Sequence, residues 1–268
     1  MGSRLAESPV DADLLILLAV LLPPAALDSL GRLVEERTVP TPYGAVGPLA
    51  LRRPEHGPGV WLQPYTGVST RTDPRATIYA ALSLGARQVL NWDQGIAINP
   101  VLQRGHVAVV TDYVDFTRQP TTFGGGLPGS FGRMLPASVP WEEGSHRPPL
   151  CPRLSAALRR AIPFAVDTVY LGVDGPRRET PAEARLYRQW GIDVVGQNLI
   201  PEAALAQEAG LCYAGLVTVG DVGADRPLPA AHGEVRAALG AVLAALPTVV
   251  AEAMAPGDCG CADQRAPL

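Results

Sequence analysis

The chain is sparing with charge and cysteine, and each shortage excludes something. Only 18% of its 268 residues are charged, the formal net charge is −4 and the pI is near 5.6. No run of basic residues stands out, so the electrostatic footprint of a nucleic-acid or anionic-lipid binder is missing and a small-molecule partner is the default. The apolar run Leu14 to Leu22 is too short to span a bilayer. Glu7, Asp11 and Asp13 precede it, the wrong charge for a secretory signal, so a buried strand is expected and cytoplasm is the simplest compartment. The four cysteines, Cys151, Cys212, Cys259 and Cys261, form no CxxC pairs. Structural zinc is therefore not expected, and Cys259-Gly260-Cys261 reads as two thiols on a solvated tail in preference to a redox pair. Four scattered histidines give no HExxH, the glycines at 124–126 are not followed by GK[ST], and the surroundings of Ser130 are not a nucleophile elbow. No metal and no cofactor is expected.

What is present is apolar residue in quantity: 47% hydrophobic content fills one core, and a single domain over 1–268 is expected, with 1–12 and 256–268 as poorly ordered tails. Short apolar runs alternate with helix-like segments, the pattern of an α/β domain. Strands are expected at Leu14–Leu18, Gln88–Trp92, Val107–Thr111, Thr168–Val173, Asp193–Val195 and Leu211–Val219. Most are apolar on both faces, as strands covered by helices on each side must be. Helices are expected from Asp73-Pro74 to Gly85, from Thr180 with its capping partner Glu183 to Gly191, from Pro201 to Gly210, and over Ala231–Leu246. Phe123–Pro152 is rich in glycine and proline and reads as a surface loop of the kind that lines sites or subunit contacts.

The most informative stretch is Gly172–Val219, GVDGPRRETPAEARLYRQWGIDVVGQNLIPEAALAQEAGLCYAGLVTV. It resembles the trimeric-type nucleoside phosphorylases, the purine-nucleoside and methylthioadenosine enzymes, and the resemblance extends from Leu14 onward, weakest before Pro40 and around 121–150. It implies a three-layer α/β/α fold with a central mixed sheet, a homotrimer, and a site holding phosphate beneath a nucleoside.

Each piece of the family's phosphate site is altered. Its glycine and hydroxyl turn after the first strand is replaced by Ala19, Val20, Leu21 and Leu22, which can neither take that turn freely nor donate from a hydroxyl. Its Arg-His-Gly is Glu55-His56-Gly57, and its Ser/Thr-Ala pair corresponds to Trp92-Asp93 when Gly95 is matched to the closing glycine. A carboxylate about 4 Å from a phosphate charge costs roughly 4 kcal/mol per unit charge at an effective dielectric of 20, so orthophosphate is not expected as a substrate. Around the base and sugar, the resemblance assigns Glu179 to the purine, puts Arg178 in place of a stacking aromatic ring, and puts Gln197 in place of a methionine. Asp221 falls at the residue that meets purine N7, and His232 at the one that meets the 5′-hydroxyl.

The candidate catalytic residues are thus Glu55, Asp93 and Asp221, and the candidate substrate-binding residues His56, Trp92, Gln94, Arg178, Glu179, Gln197, Asn198 and His232. Plainer roles exist for each. Glu55 suits a solvated loop, Asp93 and Asp221 suit bends after strands, His232 suits a helix start, and Arg178 suits an ion pair with Asp174 or Glu179. Three functions follow. The leading one is hydrolytic cleavage of a nucleoside-like N-glycosidic bond, with Glu55 or Asp93 activating water. The others are a repurposed biosynthetic enzyme performing acid/base-assisted cyclisation, elimination or addition on a non-nucleoside, and a noncatalytic ligand-binding paralogue.

Overall fold

The computed structural model describes residues 12–64, 73–124, 148–227 and 233–261. Among the described residues nine strands form one sheet: β1 (Leu14–Ala19), β2 (Arg32–Thr41), β3 (Gly44–Arg53), β4 (Val60–Gln63), β5 (Gln88–Ala97), β6 (Val107–Phe116), β7 (Val166–Val173), β8 (Val194–Gly196) and β9 (Cys212–Val222). Five helices among the described residues accompany it: α1 (Pro74–Ser83), α2 (Pro152–Ala161), α3 (Pro181–Gln189), α4 (Glu202–Glu208) and α5 (Gly233–Met254), with a 3-10 segment at Pro24–Leu30. The strand order is β2-β3-β4-β1-β5-β8-β7-β6-β9, and β9 pairs again with β5. Strands β5 to β9 therefore close on themselves, which removes the sheet edge on that side, while β2 to β4 extend the sheet on the other. Parallel and antiparallel pairings coexist: β1 with β5 and β5 with β9 are parallel, β6 with β9 and β5 with β8 antiparallel.

The period of two in β1 decides the layering. Leu14, Ile16 and Leu18 join one buried cluster with Leu90 and Trp92, under α2, α5 and the 3-10 segment. Leu15 and Leu17 join the other, under α1 and α4. A strand buried on both faces shows as a continuous apolar run, which is why β1 was legible as sequence. A third, small cluster seats α3 through Ala184 and Tyr187. The expected three-layer α/β/α fold with a mixed sheet is the fold observed.

Every expected strand and helix occurs, with shifted ends: β5 continues past Trp92 to Ala97 and α5 runs on to Met254. The elements β2, β3, β4 and α2 were not anticipated. β2 is exposed along most of its length, and β3 contains Gly44, Gly47 and Pro48, so neither carries the buried alternation that marks a strand. Helix α5 is long and apolar enough by composition to cross a membrane, yet Val242, Leu246, Val249 and Ala253 are buried in the cluster beneath the sheet, the packing of a core helix. Most of the expected loop at 123–152 lies outside the described residues.

The solvated-tail reading of the C-terminal thiols is overturned. Cys261 is 8% exposed, Cys259 packs on the same apolar cluster, and both meet Cys151 and Cys212. The tertiary fold brings α5's end back to the start of β9, a proximity that spacing does not encode.

Helix α3 begins with both bonds of a capping box: Thr180 Oγ1 accepts from Glu183 N–H at 3.2 Å, and Glu183 Oε2 accepts from Thr180 N–H at 2.8 Å. Thr180→Ala is expected to cost about 1 kcal/mol, read as a lowered urea midpoint with an unchanged denaturant slope.

Candidate functional site

A cleft of about 250 Å³ opens where β1, β5, β7 and β8 end. Ala19 and Leu21 form one wall, with Leu21 76% exposed. Gln94 and Ile96 project from β5, Val195 and Gly196 from β8, and Gln197 and Asn198 from the segment after it. Arg177, Arg178 and Glu179, in the segment between β7 and α3, close the opposite side. No hydroxyl-bearing side chain occurs among the described lining residues.

The floor is organised by Asp93. Its side chain is wholly buried and accepts three hydrogen bonds: Tyr170 Oη at 2.6 Å, Asn198 Nδ2 at 2.9 Å and Gln94 N–H at 2.8 Å. Burial pushes the Asp93 carboxyl up from its ordinary range, opposed by these donors, and burial likewise raises the Tyr170 hydroxyl well above its own. Asn91 Nδ2 donates to Asn198 O at 2.5 Å, and Tyr213 Oη donates to Leu199 O at 2.8 Å, so the segment following β8 is held from beneath by two strands, β5 and β9. Gly196 is needed here, because a Cβ at that position would collide with the Asp93 carboxylate and the Tyr170 ring.

Along the cleft's other side runs a chain of alternating charge. Asp221 accepts from Arg104 Nη2 at 2.7 Å and from Arg178 Nη1 at 3.1 Å. Arg178 Nη2 also donates to Glu179 Oε1 at 3.0 Å and to Val222 O at 2.8 Å. Burial works the other way, yet the Arg104 hydrogen bonds, the Val222 N–H and the charges of Arg104 and Arg178 together hold the Asp221 carboxyl below its usual range. The Glu179 side chain is 1% exposed, and its Oε1 also accepts from Ala224 N–H at 2.8 Å. Its Oε2 is buried without a partner among the described residues, which costs about 1–3 kcal/mol or more unless something donates to it. Arg177 is committed elsewhere, to both oxygens of Glu183.

These positions sort the sequence-derived candidates. Gln94, Arg178, Glu179, Gln197 and Asn198 line the cleft. Glu55 and His56 do not: they sit on an exposed bend after β3, where a glycine and two prolines turn the chain outward. Trp92 does not either; it is wholly buried against the α2 and α5 layer, its Nε1 donating to Thr218 Oγ1 at 3.0 Å. Asp93 is adjacent to the cleft but sealed beneath it, so it orients Asn198 and cannot reach a water in the cleft. Asp221 is turned to its arginines and absent from the described lining; an ionised carboxylate so clamped accepts hydrogen bonds and has no proton to give. The expected pairing of Arg178 with Glu179 is present, whereas Asp174 meets Arg118 instead. His232 lies outside the described residues.

Four residues of consequence went unnoticed in the sequence: Arg104, Tyr170, Asn91 and Glu202. Three sit in apolar runs or a plain turn and carry no motif. Glu202 was read only as part of a helix start. It is buried at the head of α4, its Oε2 lacks a partner among the described residues, and burial, followed by the charge of Asp93, raises it to about 7.

Residues 28–255 match the family model of the Phosphorylase superfamily. The chain belongs to that family. It is 33% identical over 198 residues to a 6-oxopurine nucleoside phosphorylase of Pyrococcus furiosus, covering 69% of this chain and 71% of that one. It is 36% identical over 224 residues to a purine nucleoside phosphorylase of Streptomyces coelicolor, covering 75% of each. It is 30% identical over 216 residues to an S-methyl-5′-thioadenosine phosphorylase of Nitrosopumilus maritimus, covering 73% and 75%. Among solved structures, the methylthioadenosine phosphorylase of Schistosoma mansoni with tubercidin superposes with a TM-score of 0.76 at 22% identity over 94% of this chain and 95% of that one, a likeness of fold. The chain is thus a member of the nucleoside phosphorylases, a family of enzymes.

Glu202 gives the fold a pH dependence. A carboxyl raised from 4.5 unfolded to about 7 folded stabilises fully below the unfolded value, and that stability is lost as pH rises through the folded one. The loss is on the order of 3 kcal/mol between about pH 4.5 and 7. Urea unfolding across this window should show wild-type stability falling with pH and the Glu202→Gln variant falling much less.

Proposed function

We propose that the chain cleaves the N-glycosidic bond of a purine nucleoside, of the 6-oxopurine kind, with water in place of orthophosphate. The observation that carries this is the composition of the cleft: an apolar wall at Ala19 and Leu21, no described hydroxyl, and two guanidiniums already paired with carboxylates. Held anions need amides, hydroxyls and a free cationic fork, and the sequence relatives named for phosphorolysis do not alter what these side chains can bind. The base end is better provided. Glu179 Oε2, buried and without a partner among the described residues, suits the ring N–H that a 6-oxopurine carries and a 6-aminopurine lacks, and the name of the Pyrococcus furiosus relative points to the same bases. The side-chain amides of Gln94, Gln197 and Asn198 supply further donors and acceptors for a flat polar ligand.

Neither Glu55 nor Asp93 serves as the water-activating base in this reading, and no described side chain replaces them. A positioned acid or base is worth about 10²- to 10⁴-fold, so turnover is expected to be slower than that of an enzyme possessing one. The same shortage favours a second reading, a noncatalytic paralogue that binds a nucleoside and returns it unchanged.

One assay separates these. With inosine in phosphate-free buffer, free base and free ribose should accumulate, and added phosphate should leave the rate unchanged. Glu179→Gln should raise the KM for inosine by roughly 10- to 100-fold, the equivalent of losing a hydrogen bond to a charged group, and affect a 6-aminopurine nucleoside less. Ribose 1-phosphate formed in proportion to added phosphate would overturn the hydrolytic reading; tight binding with no product would establish the noncatalytic one.

We further propose a homotrimer, as the family resemblance implies. The exposed Phe116 and Trp190, edge to face at 5.5 Å, are apolar surface that an interface would cover. Light scattering at three chain masses is the expected result, and a monomer would refute it.

A further inference from the structure

Far from the cleft, the four cysteines of the chain converge. Cys151 caps the N-terminus of α2, Cys212 begins β9, and Cys259 and Cys261 follow α5. Their sulfurs all lie within 4.8 Å of one another, with Cys212 and Cys259 at 3.3 Å, and three of the four residues are buried. We propose that these four sulfurs bind one Zn²⁺ as a closed, structural tetrathiolate site.

Geometry and chemistry agree on this occupant. Four thiolates at about 2.3 Å from a tetrahedral zinc stand roughly 3.8 Å apart, so the observed cluster needs a shift of an ångström or less to receive the ion. Soft sulfur donors in a four-fold set select zinc over the hard cations that favour oxygen. Apart from one another, the sulfurs have few polar partners: Cys151 Sγ accepts from Leu154 N–H at 3.5 Å, Cys261 Sγ approaches Cys259 O at 3.9 Å, and the Arg153 guanidinium reaches Cys212 and Cys259. The ion would be the main polar partner of all four.

The surroundings suit the charge that results. Four thiolates around Zn²⁺ carry a net charge of −2, offset by two features. Cys151 sits at the positive end of α2. Arg153, whose Nη1 is fixed by Ala253 O at 2.8 Å and Ala255 O at 3.1 Å, lines the adjoining cleft together with Cys212 and Cys259. Binding releases to solvent the protons that the thiols carry, and no oxidation or reduction takes place. The ion would tie the segment after α5 to the beginnings of α2 and β9, three places distant in sequence, and so would stabilise the whole layer beneath the sheet.

The test uses the full chain, expressed in zinc-supplemented medium and purified under reducing conditions. Mass spectrometric metal analysis should give close to one zinc per chain. After chelation, Co²⁺ titration should produce thiolate-to-cobalt charge transfer and tetrahedral d–d absorption, and all four cysteines should become alkylatable. Cys261→Ser should lose the zinc. Arg153→Gln keeps every ligand, so it remains informative where a cysteine variant fails to fold; its zinc affinity should fall roughly 10- to 100-fold against a competing chelator. A wild-type chain that holds no zinc and gives no cobalt spectrum overturns the proposal. So does iron in place of zinc, or an intact mass with no free thiol, which would make the cluster two disulfides.

Discussion

The buried carboxylate of Asp93 is the constraint on which the cleft depends. An acidic side chain removed entirely from water is tolerated only where donors surround it, and here they come from three different elements: Tyr170 on β7, Asn198 after β8, and the β5 backbone itself. That requirement fixes the mutual approach of β5, β7 and β8, demands glycine at 196, and presents Asn198 to the cleft. The residue at first suited to activating water is therefore a positioning residue, and its chemistry is exhausted in holding the floor.

The charged wall follows a similar logic. The sequence has no lysine, so every ion pair among the described residues uses an arginine, whose planar fork can serve two or three acceptors at once. Arg178 does so, joining Glu179, Asp221 and Val222, while Arg104 takes the other side of Asp221. Most of the wall's charge is neutralised internally. The oxygen of the wall left without a partner among the described residues, Glu179 Oε2, is the strongest indication of what a ligand should offer. Asp221 loses the capacity to act as an acid for the same reason that the wall is stable.

Opposite the cleft, the cysteine cluster shows how a small-residue loop and a helix end acquire meaning only in three dimensions. A CxC motif beside two isolated cysteines gives no metal-type spacing, yet the return of α5 along the sheet sets all four sulfurs together. Their burial within the layer that holds α5 links whatever joins the sulfurs to the packing of the longest helix.

Sequence alone determined the layered α/β architecture, because strands buried on both faces must be apolar throughout and capped helices advertise their starts; the capping box at Thr180 and the run Leu14–Leu18 appear as read. It also determined the family, through Gly172–Val219, and it singled out Gln94, Arg178, Glu179, Gln197 and Asn198, which the fold places along one cleft. It could not determine which polar residues face the ligand and which face the core. Trp92, Asp93 and Gln94 are consecutive, yet the first packs under α5, the second is sealed beneath the cleft and the third lines it. Only the tertiary structure decided that, because the period of a strand fixes alternation while the neighbours across the sheet fix what each face meets.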